Sequence, residues 1–132
     1  MNPALLIIGS IFAVLAALIH VVIFYFESIG WTQPAIWKRF GIGSQGDAET
    51  IKPMAYNQGF YNLFLAVGTL VGVILLPTGA AEGGYGVALF ATLSMVAAAT
   101  VLVLSNPKLA RAALTQGALP LVAVLFFLLA LI

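Results

Sequence analysis

The chain has 132 residues, of which 63% are hydrophobic and only 7% are charged, and its mean hydropathy is +1.15. Soluble domains average about 25% charged residues, so a chain this apolar cannot cover a soluble surface and needs lipid as its solvent. The net charge is +1 without a basic stripe, which argues against a nucleic-acid partner. The absence of Cys excludes disulfides, thiol chemistry and Cys-type metal sites.

Four apolar segments follow one another along the chain, at about residues 3–27, 54–76, 85–105 and 112–132. Each is near the ~20 residues that a helix needs to cross ~30 Å of hydrocarbon. The segments are continuously apolar rather than alternating, which predicts helices and not barrel strands. We therefore predict an all-α membrane protein, a single four-transmembrane-helix bundle embedded in the lipid bilayer.

The first segment could be confused with a secretory signal peptide. It lacks a basic n-region and an A-x-A-like cleavage site, and its apolar run exceeds the ~7–15 residues of a signal h-region. We expect it to be retained as a transmembrane helix.

The connection between the first two helices is long, at residues 28–53. The stretch "WTQPAIWKRFG" predicts a short amphipathic helix at about residues 34–40, lying in the membrane interface, with Trp31 and Trp37 as interface anchors. A lid over an opening in the bundle is the alternative role.

The second half of this connection carries two local signals. Ser44 followed by Asp47 is typical of a capping box, which predicts a helical lead-in to the second helix, with a kink at Pro53. "GIGSQG" matches G-x-G-x-x-G, but it follows no strand and opens no βαβ unit, so its context argues against a dinucleotide site.

All five Lys and Arg residues lie in the first or third connection. Basic residues favour the cytoplasmic side of a membrane. We therefore predict that both termini are outside and that residues 28–53 and 105–111 are cytoplasmic.

The stretch "AYNQGFYNLF", residues 55–64, places amides and tyrosines inside the second membrane helix. Amides are costly in hydrocarbon unless they are paired. Counting the helical rise from each membrane face puts Tyr61 and Asn62 level with His20 of the first helix. We therefore predict a polar pocket in the cytoplasmic leaflet. Its predicted ligand-binding residues are His20, Glu27, Asn57, Gln58, Tyr61 and Asn62.

Two of these residues carry alternative interpretations. His20 either hydrogen-bonds an amide as a core histidine or binds a ligand or proton. Glu27 either pairs with Lys38 or Arg39 or acts as a carboxylate at the mouth of the pocket. One His and no Cys do not form a metal site, so we expect no metal and no cofactor.

Three stretches, "HVVIFYFESIGW", "PAIWKRFG" and "YNQGFYNLFLA", resemble the signature of a widespread uncharacterised family of small bacterial four-helix membrane proteins. The resemblance covers nearly the whole chain and supports the four-helix fold. The family has no settled activity, so the resemblance implies none. The residues that match the motif are His20, Glu27, Trp31, Asn57, Gln58, Gly59, Tyr61 and Asn62.

Three functions remain open at this stage. The first is binding or transport of a small, partly lipophilic or protonatable molecule, with a homodimer as one possible state. The second is a membrane-embedded enzyme of the isomerase or hydrolase type, in which His20 and Tyr61 act as acid and base and Glu27 is the third catalytic candidate. The third is an accessory subunit whose amides contact a partner helix.

Overall fold

The computed structural model describes residues 1–132 and contains helices and no strands. Helix α1 continues without a break into a π-helical turn at Tyr25–Ile29, and short 3₁₀ turns lie at Lys38–Phe40 and Pro107–Leu109. The α-helices are α1 (Pro3–Phe24), α2 (Pro34–Trp37), α3 (Gln45–Leu75), α4 (Ala81–Ser105) and α5 (Ala110–Leu129).

Four of these helices are long and apolar enough to cross a membrane: α1 with its π turn, α3, α4, and α5 with the 3₁₀ turn that precedes it. The prediction of an all-α four-helix architecture is confirmed, and it is that of a multi-pass membrane protein.

The four long helices form a square in cross-section. Helices α1 and α4 each pack against both α3 and α5 and barely touch each other across the diagonal. Small residues set the close approaches: a Cβ on Gly72 would meet the Ala88 backbone, and one on Gly117 would lie 2.7 Å from the Ala99 Cβ. Residues with little or no side chain let helix backbones approach closely, and the resulting van der Waals packing helps to hold membrane helices together.

The two ends of the bundle differ in charge. The Asn2 N–H donates to the Ala130 carbonyl at 2.8 Å, which joins the two termini at one end. At the opposite end, Gly41 of the first connection lies beside Leu109 of the third. All five Lys and Arg residues belong to these two connections or to the adjoining helix turns. We call this end the basic end.

Helix α3 begins earlier than the predicted boundary at about residue 54. The Ser44 hydroxyl caps the helix by accepting from the Asp47 N–H at 3.1 Å, as the capping signal predicted. Pro53 then lies inside the 31-residue helix. Proline has no N–H to donate to the Glu49 carbonyl, but Glu49 is exposed, so solvent can satisfy that group.

Candidate functional site

The central contact of the predicted site joins α3 to the end of the first transmembrane helix. The Asn62 side-chain amide donates to Glu27 Oε2 at 2.9 Å and to the Gln58 carbonyl at 3.1 Å. Both amide hydrogens of Asn62 are therefore used, and one oxygen of a partly buried carboxylate is satisfied by a neutral donor. The geometry leaves the Asn62 carbonyl oxygen and Glu27 Oε1 without a protein partner.

This pairing corrects the predicted depth match. No hydrogen bond joins His20 to Tyr61 or Asn62; Asn62 meets Glu27, seven residues further along the chain. The prediction counted depth from Pro53, whereas α3 starts at Gln45. The N-terminal turns of α3 therefore extend past the end of the first transmembrane helix.

The ion pair considered between Glu27 and Lys38 or Arg39 does not form either. The Arg39 guanidinium lies 5.4 Å from the centroid of the Phe26 ring, and its Nε–H donates to the Ala35 carbonyl at 3.2 Å. The Lys38 ammonium lies over the Trp37 ring. Aromatic faces attract these cations, so Glu27 keeps a neutral partner.

The π-helical turn presents adjacent residues to α3 at Gly59. The Gly30 N–H donates to the Tyr25 carbonyl at 2.8 Å, five residues back, and the widened turn places both Glu27 and Ser28 against α3. A Cβ on Gly59 would collide with the Ser28 hydroxyl and would lie 3.1 Å from both the Glu27 Cβ and the Phe24 carbonyl oxygen. π-Helical turns within α-helices are rare and frequent at functional sites.

Sequence reasoning missed Ser28 as a member of this site. Its hydroxyl donates to the Tyr56 carbonyl of α3 at 2.8 Å, which fastens the π turn next to the Glu27–Asn62 contact. The sequence places Ser28 where the connection begins, and no periodic signal distinguishes a π turn from an ordinary helix end. The closest available signal was its position directly after Glu27.

His20 occupies a separate place in the bundle interior. Its side chain is 1% exposed, and Nδ1–H donates to the Ala16 carbonyl one turn back, at 2.9 Å. A carbonyl only accepts, so Nδ1 carries the proton in this bond, and Nε2 is left without a protein partner. Every fully buried side-chain nitrogen or oxygen atom of the protein has a hydrogen-bond partner. Nε2 of His20 has no partner, so this atom is not fully buried and keeps a small accessible surface.

The remaining motif residues lie on an uncovered part of α3. Residues four, eleven and fifteen apart share one helix face, so Asn57, Tyr61, Gly68 and Gly72 form one stripe. Gly68 and Gly72 contact α4, whereas Asn57, Gln58 and Tyr61 are exposed. Helix α4 therefore leaves this stripe open at the basic end, where the exposed Asn57 amide and Tyr61 phenol have no hydrogen-bond partner within the chain.

Trp31 and Trp37, the two predicted interface anchors, belong to the first connection and are buried against α3. Trp31 donates its indole N–H to the Ala48 carbonyl at 2.8 Å, and Trp37 donates to Gln45 Oε1 at 3.0 Å. Gly41, in the left-handed region at φ 77°, ends the 3₁₀ turn that follows α2. These contacts fasten the connection to the N-terminal turns of α3. The two indoles are only 4% and 5% exposed, so they pack within the protein, and their role as anchors in the membrane interface stays a prediction.

The site contains no metal-binding cluster, since no group of three or more His, Cys, Asp or Glu side chains forms. Two apolar grooves lie elsewhere. One of about 590 Å³ runs between α1 and the end of α3 near the termini, and one of about 290 Å³ runs between α4 and α5. None of the predicted site residues lines either groove, so the predicted pocket is not among these grooves, and Asn57, Gln58 and Tyr61 lie on the exposed surface of the bundle.

The fold and site together define a class: a four-helix membrane-type bundle with a carboxylate–amide contact near one end. Within that class, the protein-of-unknown-function family DUF1304 matches residues 14–128, and the chain belongs to that family. The matched range contains every site residue described above. No curated protein and no solved structure matches the chain.

Proposed function

We propose that the protein binds a small, partly lipophilic or protonatable molecule at the polar patch formed by Glu27, Gln58, Tyr61 and Asn62 at the basic end. The observation that carries this proposal is the unfilled hydrogen-bonding capacity around Glu27 and Asn62. Glu27 Oε1 and the Asn62 carbonyl can accept, and the exposed Gln58 amide and Tyr61 hydroxyl can both donate and accept. Ligand sites are typically apolar clefts with a few convergent polar groups.

The arrangement favours an amphiphilic ligand. Asn62 lies level with the last turns of the first transmembrane helix, and exposed apolar side chains such as Phe64 lie further along α3. A polar group of the ligand would meet the amides and the carboxylate, and its apolar part would lie along the helices. A protonated amine is one suitable polar group because Glu27 has no cationic partner within the chain.

The membrane orientation is part of the same proposal. With the basic end in the cytoplasm, residues 28–53 and 105–111 are cytoplasmic, both termini are outside, and the polar patch lies on the side of the inner leaflet of a bacterial inner membrane. The joining of the first and third connections at one end supports a single cytoplasmic face that carries all five basic residues.

The enzyme hypothesis has less support from the geometry. Its acid–base couple requires His20 and Tyr61 within hydrogen-bond reach, but Tyr61 is 56% exposed while His20 is buried and bonded to its own helix. The accessory-subunit hypothesis is favoured by one observation, the exposure of the Asn57 amide on the outer side of α3.

The test uses the purified protein in detergent, incubated with a total lipid and metabolite extract of bacterial membranes and then analysed by mass spectrometry. Wild type should enrich a defined compound, and Gln58→Leu and Asn62→Leu should each lose most of that enrichment while remaining folded. Thr100→Val is the matched control, because Thr100 is exposed on α4 and its hydroxyl donates to its own helix at 2.9 Å. Equal enrichment by all four proteins would refute the proposed site.

A further inference from the structure

The groove between α4 and α5 is apolar and opens on the outer surface of the bundle. Its volume is about 290 Å³, and small residues form half of its lining: Ala99, Ala110, Ala113, Gly117 and Ala118. Thr100, Leu114 and Leu121 of the lining are exposed. The Thr100 hydroxyl donates to the Val96 carbonyl of its own helix at 2.9 Å. The groove therefore offers an occupant apolar surface and no free hydrogen-bond donor.

The length of this groove matches one leaflet of a bilayer. Ala110 and Leu121, the lining residues at its two ends on α5, are eleven residues apart, which is about 16 Å along a helix. The hydrocarbon core of a bilayer is about 30 Å thick, so one leaflet contributes about half of that. A partner helix that spans the membrane would follow the bundle across both leaflets, whereas a lipid acyl chain lies in one. The groove therefore suits an acyl chain whose headgroup lies at the basic end.

Two cations lie where such a headgroup would sit. Lys108 precedes Ala110 by two residues, Arg111 follows it directly, and both side chains are exposed. Arg111 is seven residues from Ala118, so the two share one face of α5, and Ala118 lines the groove. The side-chain hydrogen bonds at these two positions involve only the Lys108 N–H and the Arg111 carbonyl. The ammonium and the guanidinium are therefore free to bind an anion.

No acidic side chain neutralises these two cations. The acids at the start of α3, Asp47 and Glu49, accept hydrogen bonds from the Ser44 hydroxyl and the Gln45 amide. No Asp or Glu follows Glu82 in the sequence, so the residues around the groove carry positive charge alone.

We propose that this groove binds an anionic phospholipid, with one acyl chain between α4 and α5 and the phosphate at Lys108 and Arg111. Basic residues between membrane helices at the membrane surface are typical of sites for anionic headgroups. The long side chains of Lys and Arg can reach the headgroup region while their stems cover apolar surface. None of the residues of the polar patch lines this groove, so the lipid site does not depend on the proposed function.

The larger groove, near the termini, shows what distinguishes this site. Its volume is about 590 Å³, and it lies between α1 and the end of α3. No Lys or Arg belongs to that end of the bundle. Apolar surface alone accepts the acyl chain of any lipid, so we assign a headgroup preference only to the groove between α4 and α5.

Native mass spectrometry of the purified protein in detergent micelles tests the headgroup site. The protein is titrated with phosphatidylglycerol or with zwitterionic phosphatidylethanolamine of identical acyl chains, and the anionic lipid should associate several-fold more tightly. Lys108→Gln and Arg111→Gln should each lower the association constant for phosphatidylglycerol about fivefold, the effect expected for one cation near an anionic headgroup. Lys52→Gln is the matched control, because Lys52 is exposed at the same end but lies on α3, away from the groove. This change should leave the constant unaltered.

A second change tests the groove itself. Ala118→Phe fills it from a half-buried position and leaves both cations in place, so it should weaken phosphatidylglycerol binding several-fold while circular dichroism shows unchanged helicity. Glycerol 3-phosphate, which carries the charge without acyl chains, should not displace the lipid. The proposal is overturned if the two lipids associate equally, if Lys52→Gln weakens binding as much as Arg111→Gln, if Ala118→Phe leaves binding unchanged, or if glycerol 3-phosphate displaces the lipid.

Discussion

Replacing Gly59 with alanine tests whether the contact between the π turn and α3 holds the site together. An added Cβ would collide with the Ser28 hydroxyl and would lie 3.1 Å from the Phe24 carbonyl oxygen and the Glu27 Cβ. The serine can rotate away, but the backbone carbonyl must move with the whole helix. Separation of the two helices would stretch the Ser28–Tyr56 and Asn62–Glu27 hydrogen bonds, both shorter than 3 Å.

The magnitude follows from opposing effects. Overpacking costs about 1–3 kcal/mol, and weakening two hydrogen bonds adds about 1 kcal/mol each at most. Alanine recovers about 1 kcal/mol because it is the better helix former. The net expectation is a destabilisation of about 2 kcal/mol by these magnitudes.

Gly86→Ala is the control for helix propensity alone. Gly86 also lies within a membrane helix, and an added Cβ would meet nothing within 4 Å, so this change should stabilise the protein by about 0.4–1 kcal/mol. The assay is unfolding in mixed micelles at increasing mole fractions of denaturing detergent, followed by circular dichroism. If Gly59→Ala stabilises the protein as Gly86→Ala does, the close contact at Gly59 does not exist as described.

Three further predictions follow from other parts of the molecule. Single cysteines at Glu82 and Lys108 test the orientation: an impermeant thiol reagent applied to intact cells should label position 82 and not position 108, and the reverse would overturn the topology. His20→Phe keeps an aromatic ring but removes the hydrogen bond to Ala16 and the unpartnered Nε2. Apolar replacement of buried polar groups is often neutral or stabilising, so the melting temperature in detergent should be unchanged or raised. A fall of many degrees would show that His20 has a partner essential to the fold. Trp31→Phe removes the donor to Ala48 and shrinks a side chain that is only 4% exposed, so the lost hydrogen bond and the cavity together should cost roughly 2–3 kcal/mol. The first connection should then be proteolysed faster than in wild type in inverted membrane vesicles; unchanged proteolysis would mean that the Trp31 side chain does not hold the connection.

The sequence alone determined the features that depend on local chemistry. Continuous apolar segments of spanning length required four helices, because only a helix satisfies its own backbone in lipid. The hydroxyl of Ser44 before Asp47 indicated where α3 begins, since a cap involves residues only three apart. The segregation of basic residues and the motif residues 57–62 pointed to the end of the bundle where the candidate site lies.

Only the tertiary structure decided which of these residues meet. Whether Asn62 faces His20 or Glu27 depends on how far α3 slides along α1, and that register is set by close packing at Gly59, a contact between residues more than thirty positions apart. The π turn that brings Ser28 against α3 adds one residue to a single helical turn, a change that no apolar periodicity records. The exposure of Asn57 depends on the direction in which α3 is rotated within the bundle. Helix rotation and register arise from contacts between helices, and these contacts cannot be predicted from a sequence that is analysed one segment at a time.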